Sequence, residues 1–339
     1  MKRILYIGNH LSRGGAYPSA AETMAPLLAP ELALRLVSRR SNRAGRVLDV
    51  LVAILRYGRT EQPVWLDVYS TSNFYYALFA AWVCHLLGFR YGCVLHGGNL
   101  PARLHSSPGL CRFLFGRAQR LVAPSGYLQD AFGKAGYRAC VIPNFVSIAH
   151  YPFRLRKTVR PRLLWVRAFD AIYNPQMAIR VLQRVLEDYP DAELCMVGPD
   201  KDGSRAACEA LAMALGVQER VRFTGRLSKP EWIALAADYD LFINTTHIDN
   251  TPVSVVEAMA LGLPVVSTCV GGIPFLLEHH HSGLLAPAND VEAFSQQVIA
   301  LLQQPHLALL LSQEGRKKAE SFAWEQVKPL WLKALEYPV

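Results

Sequence analysis

From Lys2 onward, apolar runs of strand length alternate with longer stretches whose apolar residues recur at helical spacing. In the first half the strands read RILYIG, LALRLVS, VWLDVY, YGCVLH, RLVAPS and CVIPN, with helices predicted over 19–29, 44–57 and 73–87. The second half restarts the series with LLWVRAFD, ELCMVG, VRFTG, LFIN and PVVST, and places helices over 175–188, 203–215 and 229–238. Short, continuously apolar strands separated by helices specify parallel sheets covered on both faces. Two such series predict two doubly wound α/β domains, with a crevice between their carboxyl edges. Between them the phrase Ile142-Pro143-Asn144 leads into the basic, irregular stretch AHYPFRLRKTVRPR. The expected division is therefore 1–155 for the first domain, 156–320 for the second, and 321–339 for a terminal segment. Residues 306–336 read as two helices, the last over Trp324 to Leu335.

The stretch with the densest chemistry is Asp240 to Glu278, DLFINTTHIDNTPVSVVEAMALGLPVVSTCVGGIPFLLE. A buried strand, a polar turn, an amphipathic helix, a second strand, a glycine pair and a short helix make one parallel crossover unit. Thr251 is placed to cap the helix and Pro252 to occupy its first turn, which leaves the amides of Val253 and Ser254 without intrahelical partners. Free amides at a helix start form an anion site. Asp249 stands just ahead of it and Glu257 follows eight positions later. On these two acids alone, a complement to the helix dipole and a solvated helix face are the plainer readings.

Composition changes this picture in three ways. At 339 residues and 51% apolar, the chain is long enough for two domains, each with its own core. Seven cysteines, scattered without ligand spacing, suit a reducing compartment, with no disulfide and no zinc expected. The charge is uneven: residues 1–155 hold 18 Lys and Arg against 6 Asp and Glu, or +12, and residues 156–339 hold 18 against 21, or −3. A front half so basic is expected to meet something anionic, and nucleic acid, a membrane surface and a phosphorylated acceptor all qualify. Arg39, Arg40, Arg43 and Arg46 precede VLDVLVAIL, and Arg56 and Arg59 follow it. Arginines beside aliphatic runs, rather than beside stacking aromatics, favour a lipid surface over single-stranded nucleic acid. An ordinary surface helix with snorkelling arginines reads equally well. Cys111 to Leu121, with Phe113, Leu114 and Phe115 between Arg112 and Arg117, is a second such stretch, for which core packing is the safer reading.

The start, MKRILYIGNH, imitates a signal peptide only briefly, because its apolar part is too short. The longest uncharged run, Asn73 to Gly88, has 16 residues, fewer than a bilayer span of roughly 18 to 20, and is expected to be a buried helix.

Single residues add candidates of unequal weight. Gly14 and Gly15, after the first strand, would let the backbone approach a ligand, although tight turns of every kind use such a pair. Neither G-x-G-x-x-G nor a Walker loop occurs. His96 ends the strand before Gly97-Gly98 and so lies at a ligand-facing edge. Arg167 ends LLWVR, where a planar guanidinium could hold two phosphate oxygens. Gly225 and Arg226 form a strand-to-helix turn ahead of Ser228-Lys229-Pro230-Glu231, a capping signature. Three consecutive histidines, His279, His280 and His281, cannot all face one ion, and a solvated loop is expected there.

Taken in order, Asp249 and Glu257 at acid-x7-acid spacing, the small Ala258 and Ala260, Gly262-Leu-Pro and Gly271-Gly272-Ile-Pro resemble the donor-site signature of the retaining family 4 glycosyltransferases. His96 with its glycines resembles that family's His-Gly turn. The resemblance covers nearly the whole second half and, more loosely, the first. It implies a GT-B fold, two Rossmann-like domains facing across a cleft with the last helix crossing back to the first domain. It also implies metal-independent transfer of a sugar from a nucleoside-diphosphate sugar to a sugar or lipid-linked acceptor. By it, Glu257 would hold the donor ribose and Asp249 the sugar hydroxyls. Arg167 and the amides of Val253 and Ser254 would stabilise the leaving diphosphate, with Asn250 and Thr251 lining the same loop and the Gly225-Arg226 turn facing the base. No cofactor beyond the nucleotide sugar and no nucleic acid are expected.

Two departures stand out. The family's arginine is usually followed five positions later by a lysine, where this chain has Ile172, and the first acid is Asp249 rather than glutamate. Two other readings stay open: an epimerase or hydrolase of nucleotide sugars, and a silent nucleotide-sugar-binding subunit. With the basic first domain, the expected setting is the cytoplasm, peripherally at the inner face of the cytoplasmic membrane, in polysaccharide or glycolipid synthesis.

Overall fold

The computed structural model describes residues 2–8, 19–38, 40 and 42–335. Twelve strands among them are β1 (Lys2–Ile7), β2 (Leu32–Val37), β3 (Val64–Val68), β4 (Tyr91–Leu95), β5 (Arg120–Ala123), β6 (Ala139–Val141), β7 (Arg162–Val166), β8 (Glu193–Val197), β9 (Val221–Gly225), β10 (Leu241–Asn244), β11 (Val265–Thr268) and β12 (Leu284–Ala286). They form two six-stranded sheets, ordered β2-β1-β3-β4-β5-β6 and β12-β11-β10-β7-β8-β9. Every strand pair is parallel. The strands β3, β4, β10 and β11 are buried at every position, which is why apolar residues follow one another in them instead of alternating with exposed polar ones.

Packing divides the chain into one unit of Met1–Asn144 with Glu325–Val339, and a second of Phe145–Trp324. In the first unit, Phe74, Phe115 and Phe132 fill the space under the helices, with Phe115 and Phe132 edge to face at 4.9 Å. The last helix, Trp324–Leu335, packs on this unit: Trp331 meets Trp65 edge-on at 6.5 Å, and Lys328 pairs with Glu31 at 2.6 Å. In the second unit, Trp165, Phe169 and Phe294 are buried around the helix Pro175–Leu186.

Several expectations change. The division falls at 144/145 and 324/325 rather than at 155/156 and 320/321. The irregular basic stretch is tied down on the second unit: Val146 N–H donates to Phe322 O at 2.9 Å, and Arg156 N–H to Ser312 Oγ at 3.2 Å. The strand Leu284–Ala286 and the helix Val291–Gln303 were not anticipated. The helix Asn73–Leu86 is buried on one face only, with Tyr75, Trp82 and Leu86 exposed. All seven cysteines carry free thiols, and only Cys269 is exposed. His279 Nδ1 accepts from the Leu285 amide at 3.0 Å, and His281 lies 3.7 Å from Glu314. Among the described residues there is no helix long and apolar enough to cross a membrane and no cluster of three ligating side chains.

Candidate functional site

In the second sheet the chain starts at β7, runs outward through β8 and β9, then returns to β10 on the other side of β7. The order reverses between β7 and β10, and in open parallel sheets a ligand crevice lies outside the carboxyl ends of the strands at such a point. Arg167 follows β7 directly, and its amide is fixed by Val197 O at 3.0 Å. Its guanidinium lies over the Tyr173 ring at 4.6 Å, points Nε toward Asn244 Oδ1 at 3.4 Å, and pairs through Nη2 with Asp249. The Arg167 side chain is only 14% exposed. Burial pushes its pKa down to about 10, still far above neutrality. A guanidinium has five N–H donors, so Asn244 and Asp249 leave others for an anion.

The loop after β10 leads into the helix Val253–Ala260. Its N-cap is Pro252, not Thr251, and no side chain caps the first turn. Proline has no hydroxyl to offer, and its extended ψ of 113° sets it just outside the helix. The first amide bonds run from Val255 and Val256 to Pro252 O, so among the described residues the amides of Val253 and Ser254 meet no acceptor. Ser254 Oγ is buried and has no hydrogen-bond partner either. The opposite end is closed: Arg316 Nη1 donates to Ala260 O at 2.7 Å, Arg156 to Leu261 O, and Ser312 Oγ to Gly262 O at 2.7 Å. The helix thus has its negative end neutralised by two guanidinium groups and its positive end unfilled, the arrangement of an anion site.

The glycine pair explains itself here. Gly272 N–H donates to Asp249 O at 2.8 Å, and a Cβ on Gly272 would lie 1.8 Å from Asn250 O. Gly271, at φ +53°, would likewise bring a Cβ to 2.2 Å from Asp249 O. Only glycine lets this turn lie against the Asp249-Asn250 loop and hold it ahead of the helix.

Glu257 sits one turn on and is buried. Its Oε1 accepts from Tyr151 Oη at 2.7 Å and pairs with Lys229 Nζ. Among the described residues Oε2 takes no hydrogen bond, so one carboxylate oxygen is anchored and the other is available. Burial, and then the carboxylate beside it, raise the Tyr151 pKa, so it stays a hydrogen-bond donor. Lys229 and Tyr151 were not foreseen. The capping box of Ser228 and Glu231 fixes the helix that carries Lys229, but nothing local points to a partner 28 residues on.

His96 belongs to the first unit. Its Nε2 lies 2.7 Å from Asp67 Oδ1, which also accepts from Tyr6 Oη at 2.7 Å, and its ring stacks on Tyr69 at 4.9 Å. Asp67 is the next-to-last residue of β3, and a Cβ on Gly8 would strike its carboxylate, so β1, β3 and β4 converge here at their carboxyl ends. Gly225 takes φ +71° and its carbonyl accepts from Gly198 N–H at 2.9 Å; Arg226 is exposed. Ile172 is exposed, while its carbonyl accepts from His247 N–H at 2.8 Å. Gly14 and Gly15 lie outside the described residues. The structure therefore joins Arg167 to Asp249 through an ion pair and sets Asn250 to Ser254 in one loop and helix start. Glu257 joins a separate cluster one helical turn later.

Residues 160–304 match the family model of glycosyl transferases group 1. Among curated proteins, an uncharacterized glycosyltransferase of Haemophilus influenzae is 28% identical over 154 residues, 45% of this chain and 42% of that protein. A D-inositol 3-phosphate glycosyltransferase of Geodermatophilus obscurus is 28% identical over 233 residues, 62% of this chain and 50% of that one. The chain thus spans about half the length of these relatives, and a smaller share of others. Among solved structures, Anabaena Alr3699/HepE in complex with UDP superimposes with a TM-score of 0.80 at 17% identity, covering 100% of both chains. Sucrose-phosphate synthase of Thermosynechococcus elongatus gives 0.78 at 15% identity over 98% of each. Two parallel six-stranded sheets with flanking helices are the GT-B fold of those enzymes, and over residues 160–304 the chain is similar in sequence to the glycosyl transferases group 1.

Proposed function

We propose that this protein is a retaining glycosyltransferase that moves a sugar from a nucleoside-diphosphate sugar to an acceptor hydroxyl without a metal ion. The observation that carries this reading is the open start of the helix Val253–Ala260, with two unpaired amides and the orphaned Ser254 hydroxyl, beside Arg167 at the sheet's switch point. In the reaction the bond from the anomeric carbon to the diphosphate oxygen breaks and a bond to the acceptor oxygen forms. The acceptor proton leaves with the diphosphate. Negative charge grows on the leaving group as the first bond breaks, so donors already aimed at that place lower the barrier. Arg167, Val253 and Ser254 perform that task, and the free Oε2 of Glu257 accepts from the donor ribose. Asp249 holds sugar hydroxyls, and His96 orients the acceptor end.

The exposed Ile172 leaves the site one cation short of the family pattern, and Lys229 is paired with Glu257 in the neighbouring cluster. The names of the relatives point the same way, and one fold neighbour was solved with UDP-glucose. The basic first half favours a lipid-linked or otherwise anionic acceptor at the inner membrane face, in polysaccharide or glycolipid synthesis. The test is turnover of a panel of UDP- and GDP-sugars with and without chelator. Transfer that retains anomeric configuration and survives chelation is expected. Release of free sugar and nucleotide with donor alone would favour a hydrolase, and no nucleotide binding would favour a silent subunit.

A further inference from the structure

The first unit carries an apolar surface that the site does not use. The helix Asn73–Leu86 buries Phe74, Ala77, Ala81 and Cys84 and turns Tyr75, Trp82 and Leu86 away from the core. A surface helix normally puts charge on its outer face, yet the only ionisable groups outside its tyrosines and cysteine is His85. The helix Arg43–Tyr57 packs beside it and repeats the pattern, with Leu48, Val52 and Leu55 at i, i+4 and i+7 opposite the buried Val50, Ala53 and Ile54. These six outward residues are between 50% and 63% exposed. On the other side, Tyr75, Phe79 and Trp82 border a shallow apolar groove of about 330 Å³ with Leu110 and Phe113 of the helix Pro108–Gly116.

Charge selects the occupant. Between Arg43 and Arg120 there are nine arginines and three acids. All three acids are engaged: Asp49 with Arg40, Glu61 with Arg35, and Asp67 with Tyr6 and His96. Arg56, Arg59, Arg112 and Arg117 form no ion pair among the described residues, and Arg117 lies over the Phe113 ring at 4.6 Å. Exposed aromatic and aliphatic side chains, bordered by arginines and free of unpaired acids, suit an interface of acyl chains under negative headgroups. A second copy of this chain would bring the same uncompensated positive charge against it.

We propose that the outer faces of the helices Arg43–Tyr57, Asn73–Leu86 and Pro108–Gly116 form one docking surface for an anionic lipid bilayer, with Trp82 and Leu86 inserted among the acyl chains. The proposal rests on the reading that the protein works at a membrane face, and it locates that contact on a helix whose sequence reads as core. The test is co-sedimentation with phosphatidylcholine vesicles, with and without phosphatidylglycerol, for the parent, Trp82→Glu/Leu86→Glu and Arg112→Glu/Arg117→Glu. The parent should bind the anionic vesicles, less so as salt screens the arginines. Each double variant should lose at least about tenfold in apparent affinity while keeping its melting profile and its affinity for UDP. Trp82→Ala/Leu86→Ala supplies a milder change if the glutamates prevent folding. Binding that all three variants retain would overturn this assignment but leave membrane association standing; no binding by the parent would overturn both. Concentration-dependent dimers, lost in Trp82→Glu/Leu86→Glu with no vesicle binding, would make the face a self-association surface and also overturn it.

Discussion

Replacing Arg167 by alanine should weaken binding of a nucleoside diphosphate more than any other single change in the second unit. The guanidinium is only 14% exposed, so water screens its attraction to a phosphate weakly. A charge-assisted hydrogen bond contributes about 1.5–3 kcal/mol, and truncating one member of a buried charged pair costs about 2–5 kcal/mol. Part of the second figure here is the Asp249 carboxylate, which loses its partner and then faces the diphosphate unpaired. A loss of about 2–4 kcal/mol follows, or roughly 30- to 700-fold in Kd. Titration calorimetry with UDP and GDP measures it directly. Arg167→Ala/Asp249→Asn should recover the part owed to the stranded carboxylate, and Arg167→Lys should fall between, because it keeps the charge and loses the fork. If the folded Arg167→Ala protein binds both nucleotides within about twofold of the parent, the diphosphate does not meet this residue and the reasoning fails.

Glu257→Ala should abolish turnover, and Lys229→Ala should raise the donor KM several-fold with a smaller effect on kcat, read from steady-state kinetics; parental rates in Glu257→Ala would remove it from the site. Gly272→Ala forces a Cβ onto the Asn250 carbonyl, so the melting transition of the second unit should fall by a margin equivalent to about 2–4 kcal/mol and donor affinity should fall with it. Burial lowers the Arg167 pKa, but a guanidinium paired with a carboxylate keeps its charge at every pH where the protein is assayed. Calorimetry between about pH 7 and pH 9 should therefore show no loss of UDP affinity in the parent that Arg167→Ala lacks. Trp331→Ala should destabilise the first unit by about 3–5 kcal/mol, because it empties the place against Trp65, and scanning calorimetry should show only one of two transitions move.

Much of this was legible in the chain because its information is local. Strands buried on both faces open on consecutive apolar residues, as in LFIN and VVST, and the crossover from Leu241 to Thr268 follows from their spacing. The glycines at 271 and 272 were visible as a pair, but their reason, a carbonyl of Asn250 pressed against them, belongs to a contact across more than twenty residues. Long-range partners account for what was missed. Tyr151 reaches Glu257 across 106 positions and Tyr6 reaches Asp67 across 61, and neither has a spacing to betray it. Thr251 reads as a cap by residue type, yet proline at 252 moves the helix start one residue on. The helix at 73–86 misled in the opposite way, since apolar composition signals burial without saying whether protein or another apolar phase does the burying.

A crystal structure of the protein with UDP bound would test the central claim most directly. The β-phosphate is predicted to lie about 3 Å from the amides of Val253 and Ser254 and from the Arg167 guanidinium, with the ribose on Glu257. A diphosphate seated elsewhere, with those amides still facing solvent, would contradict it.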